Sequence, residues 1–223
     1  DRTHKDKLFR FIFGKEENKK YLLELYNAIN HSDYENPEDL KLTTLEDVLY
    51  ISMKNDVSFL LDYYILLYEH QSTLNPNMPI RGLFYMSQLY HMWVVEQKAN
   101  VYGSRLVKIP TPQYVVFYNG EKDVPDKMYL HLSDAYQKPI TDGEYEWTAI
   151  MYNINADRNP ELMKSCKALR EYASFIYMVR ENYQETGNLN QAIEQALNTA
   201  ISENYMDGFF ECYRSEVYMN VLT

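Results

Sequence analysis

Residues 54–72 read Lys54-Asn55-Asp56-Val57-Ser58-Phe59-Leu60-Leu61-Asp62-Tyr63-Tyr64-Ile65-Leu66-Leu67-Tyr68-Glu69-His70-Gln71-Ser72, two short β-favouring apolar runs that meet at Asp62-Tyr63. Each run carries an acid at its outer end. If Asp62-Tyr63 is a two-residue turn, Leu61 pairs with Tyr64 and Leu60 with Ile65, and continuing the ladder sets Asp56 opposite Glu69. Gln71 shares the face of Glu69 because strand side chains alternate with period two. Like charges directly opposite one another destabilise a hairpin. A divalent cation reverses that balance. Mg²⁺ takes one or two carboxylates, backbone carbonyls and several waters, and Asp56, Glu69 and the His70 carbonyl begin such a shell. The spacing alone leaves open that the two acids simply mark strand ends at the solvent, because Asp-Tyr is not a strong hairpin signal.

The rest of the chain predicts a mixed α/β (α+β) fold. Leu8, Phe9, Ile12 and Phe13, then Leu22, Leu23, Leu25, Tyr26 and Ile29, recur at helical spacing with an interruption around Gly14. Val48, Tyr50 and Ile51 join the β-favouring texture ahead of the paired runs, so two or three strands are expected between Leu45 and Gln71. Asn77 followed by Met78-Pro79 supplies a capping side chain and a first-turn proline for a helix reaching about Val95. Tyr114–Tyr118, closed by Asn119-Gly120, reads as a strand and turn, and Met128–Leu132 and Tyr145–Ile154 as further strands. Beyond Asn155 the pattern is helical: Pro160 to about Tyr183, Leu189 to about Asn204, and Phe209 onward, with breaks at Gly187 and Gly208.

The formal charge of −10 argues against a broad basic surface. Its distribution is uneven. Residues 1–20 carry +3 and the remainder −13, leaving a local basic edge that includes Lys7 and Arg10. Apolar runs are too short to cross a bilayer and no basic-plus-apolar leader opens the chain, which predicts a soluble cytoplasmic protein without a membrane partner. Cys166 and Cys212 form no CxxC or Cys/His cluster and read as buried reduced thiols. Phosphate-loop, GxSxG and HExxH signatures are absent, so no nucleotide cofactor, serine hydrolysis or zinc proteolysis is indicated. His70 alternates away from the Glu69 face, and His91 and His131 are isolated in sequence.

Asn55-Asp56-Val57, then Tyr68-Glu69-His70-Gln71-Ser72, then Asn75-Pro76-Asn77-Met78-Pro79-Ile80-Arg81-Gly82-Leu83-Phe84-Tyr85, resembles the core of the Rpn family of recombination-promoting nucleases and putative transposases, within the PD-(D/E)xK nuclease superfamily. Lys5–Gly14 resembles the family's opening helix and Tyr114–Gly120 its later strand. The resemblance implies a restriction-endonuclease-like core over residues 1–155, with residues 156–223 a helical region packed on or extending it. It implies a Mg²⁺-dependent endonuclease acting on DNA, with Mn²⁺ as a substitute, in recombination or mobile-element biology. Asp56 takes the place of the D position and Glu69 that of the (D/E)xK acid, the metal ligands. Gln71 stands where the superfamily usually has lysine. Its amide can orient a water but adds no positive charge. Arg81 is the candidate to supply that charge, with Lys7, Arg10 and Lys54 as phosphate contacts and Asp6 and Tyr85 as supporting groups. A nuclease-like scaffold that binds DNA or a protein without cleaving is the alternative, and a homodimer through the aromatic final helix is compatible with either.

Overall fold

The computed structural model describes residues 4–43, 57–140 and 144–222, with the side chains of residues 4–6 left aside. Among the described residues a six-stranded mixed sheet runs in the order β1-β2-β3-β4-β6-β5, flanked by helices on both faces. The opening helices are α1 (His4–Phe13) and α2 (Lys19–Asn30), parted by a short 3₁₀ turn where the apolar period lapses after Gly14. Then come β1 (Lys41–Thr43), β2 (Val57–Leu61) and β3 (Tyr64–Gln71) as an antiparallel meander. The turn between β2 and β3 has the expected two residues, with Leu61 opposite Tyr64 and Leu60 opposite Ile65. Asp62 takes the left-handed conformation there, one that Asp tolerates better than most residues. Tyr34 donates a hydrogen bond to its carboxylate.

Helix α3 (Met78–Glu96) carries the chain across the sheet, so that β4 (Thr111–Tyr118) returns parallel to β3. Met78-Pro79 opens the helix as anticipated, but the Asn77 side chain does not cap it. Instead the Asn75 side chain accepts from the Asn77 amide at 2.9 Å, ordering the turn one step earlier. β5 (Lys127–His131) and β6 (Thr148–Asn153) finish the sheet, with β6 parallel to β4 and β5 antiparallel at the edge. His131 is not isolated, since Thr148 Oγ1 lies 3.3 Å from its Nδ1 and Glu146 Oε2 3.8 Å away.

Strand alternation divides the interior in two. Val57, Phe59, Tyr68 and Phe117 face a large core with α1, α2 and the C-terminal helices, whereas Ile65, Leu67, Val116 and Met151 face a smaller one beneath α3. The C-terminal segment comprises α4 (Pro160–Ser165), α5 (Lys167–Thr186), α6 (Leu189–Ser202), α7 (Phe209–Cys212) and α8 (Arg214–Leu222). The helix expected over Pro160–Tyr183 breaks at Cys166, which leaves helical geometry and whose Sγ accepts from the Leu169 amide at 3.4 Å. Phe209 and Phe210 are buried against Phe11, Tyr21 and Phe175, so the aromatic groups at the start of the final segment are spent within the chain. None of the described helices is long and apolar enough to cross a membrane.

One of the two cysteines differs from expectation. Cys166 is buried, with its thiol pushed up to about 12 chiefly by desolvation, but Cys212 is exposed because it ends a four-residue helix on the outer side. Thiolate is the reactive form. Native protein treated with a thiol reagent at pH 8 is therefore expected to modify one cysteine rapidly, Cys212, and the second only after denaturant is added. Equal labelling of both in the native state would contradict this packing.

Candidate active site

Glu69 lies near the end of β3 and is almost fully buried, at 1% exposure. Its odd-numbered position puts the carboxylate on the α3 side, in line with Ile65 and Leu67. An unpaired carboxylate is prohibitively costly in such surroundings, so partners must converge on it. Arg81 does so from the first turn of α3, with Nη2 at 2.5 Å from Glu69 Oε1. Gln71, two positions along the same strand, donates from Nε2 to the same oxygen at 2.6 Å. Tyr114 reaches across from β4 and donates its hydroxyl to Oε2 at 2.7 Å. An ionised carboxylate offers about four lone-pair directions, enough for such a set. Charge-assisted bonds of this kind are about twice as strong as neutral ones.

Neighbouring elements hold this arrangement in place. Tyr85, four residues beyond Arg81 on the same side of α3, is buried with its hydroxyl 3.4 Å from Ser58 Oγ. Ser58 in turn donates to the Thr43 carbonyl at 2.7 Å, tying the α3 face to β1. Gly82 lets helix and sheet approach closely. A Cβ there would lie 2.1 Å from Cε1 of Tyr114, so the glycine provides the slot through which that ring reaches Glu69.

The sequence-predicted groups separate into three sets. Glu69, Gln71 and Arg81 come together directly, while Tyr85, one turn beyond Arg81 on α3, meets Ser58 of β2. Lys7 and Arg10 belong to α1, which packs on the opposite face of the sheet, where Phe9 stacks on the His70 ring at 5.3 Å. His70 itself points to that far side as its alternation requires, with Nε2 3.1 Å from the Tyr172 hydroxyl, so any metal contact would fall to its carbonyl. Asp56, Lys54 and the side chain of Asp6 lie outside the described residues. The described ladder ends at Val57 opposite Tyr68, the pairing on which the Asp56–Glu69 expectation is built. Among the described residues no group of three or more His, Cys, Asp or Glu side chains is arranged to hold a metal ion. One buried carboxylate is what they contribute.

Tyr114 is the participant that the sequence did not disclose. The parallel pairing that sets Leu67 beside Tyr114 depends on the α3 crossover rather than on local spacing. Gly82 inside a helix was the available signal, since a helical glycine costs about 1 kcal/mol relative to alanine and therefore points to close packing. Compared with protein-family models, curated proteins and solved structures, the chain matches none.

Removing one partner of a buried ion pair is far worse than removing both. Arg81→Met is expected to lower unfolding free energy by about 3 kcal/mol, and Glu69→Gln in the same chain to restore most of it. Urea denaturation of the four-protein cycle measures the coupling, and purely additive losses would contradict the pairing. Gly82→Ala should also be destabilising. The overpacking penalty of about 1–3 kcal/mol outweighs the gain in helix propensity of about 1 kcal/mol. Combined with Tyr114→Ala, the same change should cost less than the sum of the single losses, because the clashing ring is gone.

Proposed function

We propose that the chain is a metal-dependent DNA endonuclease with a restriction-endonuclease-like core, related to the Rpn nucleases by the motif spanning Asp56 to Tyr85. The observation that carries this reading is the buried Glu69 carboxylate at a strand end, with Gln71 and Arg81 gathered on it. The mixed sheet flanked by helices supports the core assignment. A hard divalent ion fits the chemistry of these donors, with Glu69, Asp56 and the His70 carbonyl as its ligands. Bound there, Mg²⁺ or Mn²⁺ would acidify a water and offset charge building on the phosphoryl group.

The protein's own groups do the rest. Gln71 is fixed by its bond to Glu69, leaving its amide oxygen to orient a water for in-line attack on phosphorus. Arg81 presents a planar cation with five donors, and the Nη2 contact to Glu69 occupies one edge. The remaining donors can meet a phosphate oxygen, supplying the positive charge that Gln71 lacks. Tyr114 holds the second carboxylate oxygen and so fixes the orientation in which Glu69 meets a ligand. Lys7, Arg10 and Lys54 are the candidate backbone contacts for DNA in an otherwise acidic chain.

One observation favours a second reading. Both Glu69 oxygens are already engaged by protein groups, as in an ion pair that serves only to dock α3 on the sheet, and a non-cleaving scaffold would be built the same way. Duplex DNA incubated with Mg²⁺ or Mn²⁺ separates the two. The nuclease predicts cleavage that is abolished by EDTA and falls to background in Glu69→Ala and in Asp56→Ala. Tyr114→Phe, which removes one orienting bond, should lose about 10-fold to 100-fold. Folded wild-type protein that leaves DNA intact with either metal, or cleaves as well after Glu69→Ala, would establish the scaffold instead.

A further inference from the structure

A second half-buried arginine lies away from Glu69, and among the described residues no acid forms an ion pair with it. Arg180 on α5 donates from Nη1 to Asn155 Oδ1 at 2.9 Å and from Nη2 to both the backbone and side-chain oxygens of Asn119. All three acceptors are neutral. Among the described residues its covered Nε–H meets no acceptor, and no carboxylate pairs with the guanidinium within 4.0 Å. Buried polar atoms are nearly always satisfied, so the covered Nε–H calls for an explanation. Glu121 favours the charged form of Arg180 from a distance but makes no ion pair with it.

Arg180 lines a cavity of about 840 Å³. This lies within the range of small-molecule sites, roughly 300–1,000 Å³. It opens where β3 and β4 end, between Ser72-Thr73 after the one and Gly120–Lys122 after the other. The crevice outside the carboxyl ends of parallel strands is the usual ligand position in α/β sheets. Lys122 brings a second cation, exposed and without an ion-pair partner among the described residues, against the single carboxylate of Glu121. The remaining wall is largely apolar or aromatic, with Met128 and Leu130 from β5 and Ile176, Val179 and Tyr183 from α5 among its lining. Gly120 keeps the rim tight, since a Cβ there would lie 2.4 Å from the Tyr118 hydroxyl.

We infer that this cavity binds a phosphomonoester carried on an apolar or aromatic body, its phosphate held between Arg180 and Lys122 and its body against the α5 wall. A dianionic head matches two cations that approach from different elements, and the phosphate oxygens would supply the anionic partner that Arg180 lacks. A free nucleoside 5′-monophosphate and the 5′-phosphorylated end of a DNA strand present the same chemistry. The inference does not depend on cleavage at Glu69.

Isothermal titration calorimetry at low salt tests it on the intact chain with inorganic phosphate, thymidine 5′-monophosphate, thymidine, and short oligonucleotides with and without a 5′-phosphate. Thymidine 5′-monophosphate or the 5′-phosphorylated strand is expected to bind at least about 10-fold more tightly than its unphosphorylated counterpart, and whichever binds identifies the source. Lys122→Gln and Arg180→Gln should each weaken that binding at least about 10-fold. If Arg180→Gln fails to fold, the exposed Lys122→Gln decides. Absence of binding by every phosphorylated probe at millimolar concentration, equal binding of thymidine and its monophosphate, or affinity unchanged in Lys122→Gln would each overturn the assignment.

Discussion

The contact between Arg81 and Glu69 sets the terms for everything around it. A carboxylate at 1% exposure cannot persist without a compensating charge, and the compensating charge comes from the helix that links β3 to β4. The ion pair therefore acts on topology as well as on local energy. It sets the first turn of α3 over the end of β3, from which the helix runs across the sheet and delivers β4 parallel to β3. β4 then brings the Tyr114 hydroxyl back to the other carboxylate oxygen, closing a loop of mutual dependence among three elements. Gly82 is the geometric condition for that closure, because no larger residue leaves room for the Tyr114 ring between helix and sheet.

The alternation of β3 gives the same strand two unrelated tasks. Glu69 and Gln71 face α3 and form a polar cluster, while His70 between them turns into the larger core, stacked on Phe9 and set beside the Tyr172 hydroxyl. A slip of one residue in register would exchange these faces, burying His70 under α3 and sending two polar groups into an aromatic core. Packing on the His70 face thus fixes where the Glu69 carboxylate points. The C-terminal helices contribute to the site in this indirect way, since Tyr172 belongs to α5 and shares its apolar cluster with α1 and the sheet.

Most of the local framework was legible in the residues. The hairpin register followed from two apolar runs with only two residues between them, and it holds along the whole of β2. Gln71 sharing the Glu69 face needed only the period of a strand, and Arg81 in the first turn of α3 needed only Met78-Pro79 as a start signal. What escaped was set by long-range contacts. Tyr114 lies 45 residues from Glu69 and reaches it only because the crossover returns in parallel. The break at Cys166 was hidden because the apolar period runs through it on both sides, and a thiol accepting from a backbone amide is not a customary cap. Lys7 and Arg10 lie on α1, whose apolar residues pack into the larger core on the far side of the sheet, a placement that the basic charge of the helix does not encode.

Arg81 and Arg180, both half-buried, make a comparison that composition could not offer. Both project from helices onto the ends of parallel strands, and both are held by groups at strand termini. Arg81 meets a carboxylate, so its charge is balanced within the fold and its free donors are what remain to be used. Arg180 meets only amide and carbonyl oxygens, which orient a guanidinium without neutralising it. Burial weakens the protonation of Arg180, a direction set by desolvation and opposed by Tyr172, Glu121 and Tyr118, yet arginine remains charged at any pH where the fold persists. A fold that leaves a permanent cation unbalanced beside a cavity keeps a stabilising contact in reserve for an anion. The net acidity of the chain makes that contact selective, because an anion is disfavoured over most of the molecule and favoured in the cavity that Arg180 and Lys122 line.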